Sequence, residues 1–171
     1  MAVSLFSFVD MFSRAVATAS HLLTKGAEHS RAAGGSDDDI LDWRLIEDMQ
    51  PLRFQMSVVC NFTRQWLARA ADLPLPADID VETMTVAQLQ TALADAQAYL
   101  ASLTPAQFAG RDDAPLTVKL GGGTMEPTLP AGQWVTNFAT TNILFHLSTA
   151  YGILRSKGVQ IGKLDLFPTG L

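Results

Sequence analysis

Apolar residues return every three or four positions along four stretches of the chain, the rhythm of four long amphipathic helices. Leu5, Phe8, Phe12, Ala15, Ala19 and Leu22 mark the first, over 4–29. Phe6, Val9 and Val16 lie off that stripe and predict a second apolar face on the same helix. The second helix is predicted over 51–71, with Leu52, Gln55, Val59, Phe62, Trp66 and Ala70 in its stripe; Gln55 is the one polar residue among them. Val86, Leu89, Leu93, Ala96, Leu100 and Leu103 predict the third over 85–103. Val135, Phe138, Asn142, Phe145, Thr149 and Ile153 predict the fourth over 133–156, with His146 beside Phe145.

The residues between these stretches punctuate them. Gly34 and Gly35 stop the first helix, and Lys157-Gly158 stops the fourth. Ser36 followed by Asp39 resembles a capping box for a short helix over 37–43, and 44–50 reads as a connector to Pro51. Leu73-Pro74-Leu75-Pro76 ends the second helix in a stiff extended link. A short turn is expected over 105–108. Within 111–130, the runs 116–120 and 124–129 flank Gly121-Gly122-Gly123 and predict a small hairpin, which Pro127 and Pro130 confine to an edge. Residues 159–171 read as an irregular tail. The pattern predicts an all-α fold: an up-down four-helix bundle, residues 1–171 as one domain, with a β-hairpin insertion before the last long helix. The competing architecture is an irregular all-α domain with another helix order.

Composition narrows the function classes. A chain of 171 residues suits one domain, and 48% apolar with 17% charged residues excludes global disorder. One cysteine, Cys60, excludes an intrachain disulfide framework and a multi-cysteine zinc site. A net charge of −5 argues against a nucleic-acid surface. No run reaches the ~20 apolar residues of a membrane span. The apolar start lacks the basic residues of a secretory signal and is broken by Ser4, Ser7 and Asp10, so a cytoplasmic location is expected.

Candidate chemistry is sparse. His21 and His29 are about 80° apart in azimuth and two turns apart, too far to share an ion. Asp37-Asp38-Asp39 reads as a solvated helix start. Asp48 stands just before the helix that bears Gln55 and either caps it or faces a site. Cys60 has no evident activating neighbour and reads as a buried, inert thiol. The glycine run lacks the Lys-Ser/Thr of a phosphate loop, and no Gly-x-Ser-x-Gly occurs. Asn142 and His146, four apart, share a face with Thr149. They make either a satisfied core histidine or a polar site inside the bundle.

The stretch Phe145-His146-Leu147-Ser148-Thr149-Ala150-Tyr151-Gly152-Ile153-Leu154-Arg155, continued by Lys157-Gly158-Val159 and Ile161-Gly162-Lys163, resembles the end of an uncharacterised bacterial family, a domain of unknown function. Arg44-Leu45, Asp48-Met49, Pro51-Leu52 and Gln55 resemble the same family's second block. That family stands beside the DinB/YfiT-like helical bundles, a superfamily associated with metalloenzymes. The resemblance implies an up-down bundle, often dimeric. Metal-binding members of the superfamily use one histidine on the second helix and a His-x-x-x-His pair on the last. Aligned on Leu154-Arg155 and Gly158, His146 falls on the second histidine of the pair, Asn142 on the first, and Gln55 near the histidine of the second helix. One ligand of three is kept, so no cofactor is expected where a divalent zinc or nickel ion would sit. The resemblance therefore implies a degenerate, non-catalytic bundle that binds a small ligand or forms a homodimer. Its candidate pocket comprises His146, Asn142, Gln55, Asp48 and Tyr151. The alternative is a metal-dependent small-thiol transferase, with a cation held by His146 and Asp48. No nucleic-acid or membrane partner is expected.

Overall fold

The computed structural model describes residues 4–170. Three helices, α1 (Ser7–Ala32), α2 (Leu52–Ala70) and α3 (Val86–Ser102), pack with a last helix built of three continuous stretches. These are Ala131–Gln133, the π-helical Trp134–Ala139 and Thr140–Ser156, together called α4. Two short strands, β1 (Pro115–Thr117) and β2 (Thr128–Pro130), form the hairpin ahead of α4. The fold class is as predicted, all-α with a small hairpin.

Helix ends follow the local chemistry. Gly34 takes φ 84° after α1, a left-handed turn that lets the Gly35 N–H reach back to Ser30 O at 2.9 Å. Ser36 and Asp39 close a capping box on a 3-10 helix over Asp37–Asp42. Thr85 and Gln88 do the same for α3. Asp48 does not cap α2: the residue before that helix is Pro51, and no side chain caps it.

Paired side chains fix the helix directions. Ser20 Oγ donates to Gln90 Oε1 at 2.6 Å and Ser13 Oγ to Gln97 Oε1 at 2.5 Å. One heptad forward on α3 is one heptad back on α1, so the two are antiparallel. Cys60 Sγ faces Ala92 O on α3, and Gln55 faces His146 on α4 while Phe62 stacks on Phe138. Arg53, lower on α2, bonds Val81 O and Glu82 O just ahead of α3. Hence α2 runs parallel to α3 and antiparallel to α4, in the order up, down, down, up. The chain must return along the full length of α2 before α3 begins. The proline-rich connector does this in extended form, and α2 stitches it down. Gln65 Nε2 donates to Pro76 O at 3.1 Å, Arg64 Nη2 to Ala77 O at 3.2 Å, and Asn61 Oδ1 accepts from Ile79 N at 3.1 Å.

Because α2 packs on α1, α3 and α4, it is buried nearly all round: Leu52, Met56, Val59, Cys60, Thr63, Trp66 and Leu67 are all inside. The second apolar face expected on α1 is internal too. Val9 and Val16 are buried and Phe6 packs on Phe108 at 5.9 Å, so α1 offers no free apolar surface there. The hairpin is shorter than its apolar runs. Pro115 pairs with Pro130, Leu116 with Leu129 and Thr117 with Thr128. Pro127, without an N–H, interrupts the ladder beyond. Trp134 Nε1 donates to Leu116 O at 2.8 Å and ties the hairpin to α4. The tail contains one further 3-10 turn, Lys163–Leu166, laid against α1.

Candidate functional site

The antiparallel α2–α4 seam sets Gln55 opposite His146. Gln55 is 2% exposed, and a buried amide must place both its ends. Its Nε2 donates to Gln50 O at 2.8 Å in the connector, and its Oε1 lies 2.7 Å from His146 Nδ1. A backbone carbonyl can only accept, so Nε2 must face Gln50. Oε1 then accepts from an Nδ1–H, which assigns the imidazole tautomer and leaves Nε2 as a bare acceptor. The ring is half-buried between Phe54, centroids 5.8 Å apart, and Phe145 at 5.2 Å, both edge-on. Burial holds the His146 pKa below its ordinary value, so the neutral form dominates near pH 7.

Asn142 lies one turn before His146, but its side chain serves its own helix. Its Nδ2 donates to Phe138 O at 2.7 Å, while Thr140 Oγ1 donates to Val135 O at 2.8 Å. Both acceptors lie in the π-helical stretch, where the i→i+4 ladder is interrupted. The two side chains reach back to carbonyls of the wide turns, where Val135 O also accepts from the Thr140 backbone N–H. Asp48 is exposed in the connector, where it lines a shallow hollow of about 470 Å3 with Ile46 and Glu47. Tyr151 is half-buried against the core and sits about 140° round α4 from His146. Of the five sequence candidates, the structure joins Gln55 and His146 directly. Asn142 shares their seam, and Asp48 and Tyr151 stand apart from the pair.

The sequence reading missed what surrounds the pair. Phe145, placed in the α4 stripe, is 58% exposed, and Ile46 is 61% exposed. Leu45, Phe54 and Leu144 are exposed as well. Leu45 packs over Gly152, where an added Cβ would sit 3.6 Å from it. The connector thus folds back beside α4, with Leu45 over Gly152. The signal of its apolar residues was present: Leu45-Ile46 is an adjacent apolar pair in the 44–50 link.

The family model for DUF1993, a domain of unknown function, matches residues 6–167. The chain belongs to the DUF1993 family. A crystal structure of a DinB family member from Shewanella denitrificans is similar to this DUF1993 chain with a TM-score of 0.84 and 26% identity, over 95% of this chain and 91% of that one. No curated protein matches the chain. None of the described helices is long and apolar enough to cross a membrane.

The donor set tests the metal that the wider superfamily implies. The Gln55 oxygen is spent on His146, Asn142 presents an amide N–H to its own helix, and one imidazole nitrogen remains. Among the described residues, no group of three or more His, Cys, Asp or Glu side chains converges. These residues do not fit zinc, which takes imidazole, thiolate or carboxylate donors in sets of three or four. Cys60 offers no substitute. Burial pushes its thiol up to about 11, although Arg64, one turn on and overlooked in the sequence, pulls the other way.

Proposed function

We propose that this DUF1993 chain is a non-catalytic homodimerising domain whose contact surface centres on His146. The observation that carries this reading is the pair of exposed aromatics, Phe54 and Phe145, edge-on to a histidine whose inner nitrogen is already engaged, with Leu45, Ile46 and Leu144 exposed elsewhere on the connector and α4. With a full aromatic side chain at about 150–250 Å2, the five together offer roughly 500 Å2 of apolar surface. A standard interface buries about 800 Å2 per partner, and homodimer contacts are about 65% apolar. That total is therefore about the apolar share that a second copy would cover. Two-fold packing would set Phe54 and Phe145 against their copies, with the bare His146 Nε2 between them accepting a hydrogen bond. A cytoplasmic location, where Cys60 stays a thiol, suits such a domain.

Light scattering coupled to gel filtration tests the proposal. The wild-type chain is expected to elute with the mass of a dimer at micromolar concentration. Phe145→Glu is expected to elute as a folded monomer, because it places a charge at the centre of the contact. A monomeric wild type, or a dimer that Phe145→Glu leaves intact, refutes it.

A further inference from the structure

On the other seam of the bundle, one face of α1 carries a row of three hydrogen-bond donors, and the C-terminal tail lies across it. His21 Nε2 is 2.8 Å from Asp165 Oδ1, Thr18 Oγ1 donates to Leu166 O at 3.0 Å, and Arg14 Nη1 donates to Gly170 O at 3.0 Å. Residues 14, 18 and 21 follow the i, i+4, i+7 spacing of one helix face. The tail contributes little apolar burial in return. Leu164 is 81% exposed, Phe167 is exposed, and only Leu166 is half-buried against the core. A segment held by a few polar ties and little packing sits at the low end of local stability.

Beneath the tail lies a groove between α1 and α3. Thr169 forms one wall of a hollow of about 210 Å3 with Arg14, Ala17 and Gln97. Ala17 and Gln97 also line the next hollow, about 490 Å3, together with His21 and Leu93. Ala17 and Ala94, small residues on facing helices, leave the space that the Gln90 and Gln97 clamps bracket. The larger volume falls in the range of small-molecule sites, about 300–1,000 Å3.

We propose that residues 162–170 form a latch over this α1–α3 groove and that the His21–Asp165 pair is its catch. Asp165 is suited to the part because its other oxygen accepts from the Gly162 N–H at 2.7 Å, which links the catch to the start of the 3-10 turn. Val159 and Ile161 stay buried in the core, so Gly162, extended and exposed, is the point at which the tail leaves the bundle. Opening the catch frees the tail as a unit and widens the groove at Thr169 without disturbing the bundle.

Hydrogen exchange of the full chain, read by mass spectrometry, tests this with His21→Ala and Asp165→Ala. Thiol labelling at Ala17→Cys, in the wild-type, His21→Ala and Asp165→Ala backgrounds, reports on the groove, since the native Cys60 is buried and Asp165 does not line the hollow. Each substitution is expected to speed exchange over residues 163–170 roughly tenfold, to leave α2 and α4 protected, and to speed labelling at position 17 in proportion. Unchanged tail exchange shows that the pair is no catch. Loss of protection throughout the bundle shows that the tail is part of the cooperative core. A freed tail with unchanged labelling shows that it does not close the groove. Any of the three overturns the proposal.

Discussion

Gln50 O can only accept, so it orients the Gln55 amide, and Gln55 in turn orients His146. The three groups form one chain of dependence from the connector, through α2, to α4. Replacing Gln55 by Leu would leave the His146 Nδ1–H without its partner inside the seam. Unsatisfied buried polar groups cost about 1–3 kcal/mol each, so Gln55→Leu is expected to lower unfolding stability by about that amount in urea titration. The histidine also gives stability a pH dependence of fixed sign. Burial lowers its folded pKa, so as pH falls through the ordinary value of 6.5 the unfolded chain takes up the proton first. Stability should fall from there down to the folded value and then level off. Asp165 adds a separate loss at lower pH. The hydrogen bond from His21 holds its carboxyl below the ordinary 3.8, and that contribution fades as pH falls through the folded value. His146→Gln should remove the first loss and keep the second. Melting curves of wild type and variant that stay parallel from pH 7 to pH 5 would contradict this. The sequence made Gln55 and His146 visible as polar residues in apolar stripes. It could not show their partner, because Gln50 contributes a backbone atom.

At the scale of the element, α4 shows why a periodic pattern can name a helix and still misplace its face. The spacing over 133–156 predicted one side running through Val135, Phe138, Asn142, Phe145, Thr149 and Ile153, of which Val135, Thr149 and Ile153 are buried. The buried side also takes in Trp134, Ala139, Ile143, Leu147, Ala150 and Leu154, while Phe145 is exposed. Wide turns over Trp134–Ala139 advance the chain by fewer degrees per residue, so a phase counted from Val135 at 100° drifts by the time it reaches Phe145. The result turns Phe145 outward. Asn142→Ala would remove the amide that meets Phe138 O and should cost about 1 kcal/mol, the ordinary worth of one such bond. The loss should be accompanied by faster hydrogen exchange over 134–142. Unaltered exchange there would mean the π turns hold without it. The α2–α3 link is the opposite case. Its prolines made it legible as stiff and extended, while the parallel course of the two helices depended on stitches from Asn61, Arg64 and Gln65 that no local pattern encodes. The second apolar face of α1 misled for a third reason. In a bundle, a helix touching two neighbours needs two apolar stripes, so Val9 and Val16 signal burial and not a free surface.

For the whole molecule, the proposed dimer sets an apolar contact against the charge of the chain. Each copy carries a net charge of −5, so two copies repel at long range while the patch around Phe145 attracts at short range. Salt screens the first effect, with a Debye length of about 10 Å at 0.1 M and 3 Å at 1 M, and leaves apolar burial intact. Association should therefore strengthen as sodium chloride is raised, the reverse of a contact built on ion pairs. Linkage extends the argument to stability. A partner that binds only the folded chain raises the melting temperature with its concentration, so the wild-type transition should move upward as protein concentration increases. It should move further at high salt, whereas Phe145→Glu should melt at one temperature at every concentration. Calorimetry over a hundredfold range of protein concentration, at low and high salt, reads both effects at once. A wild-type transition independent of concentration would remove the second copy from the account. A dimer weakened by salt would keep it but move the contact away from the apolar patch.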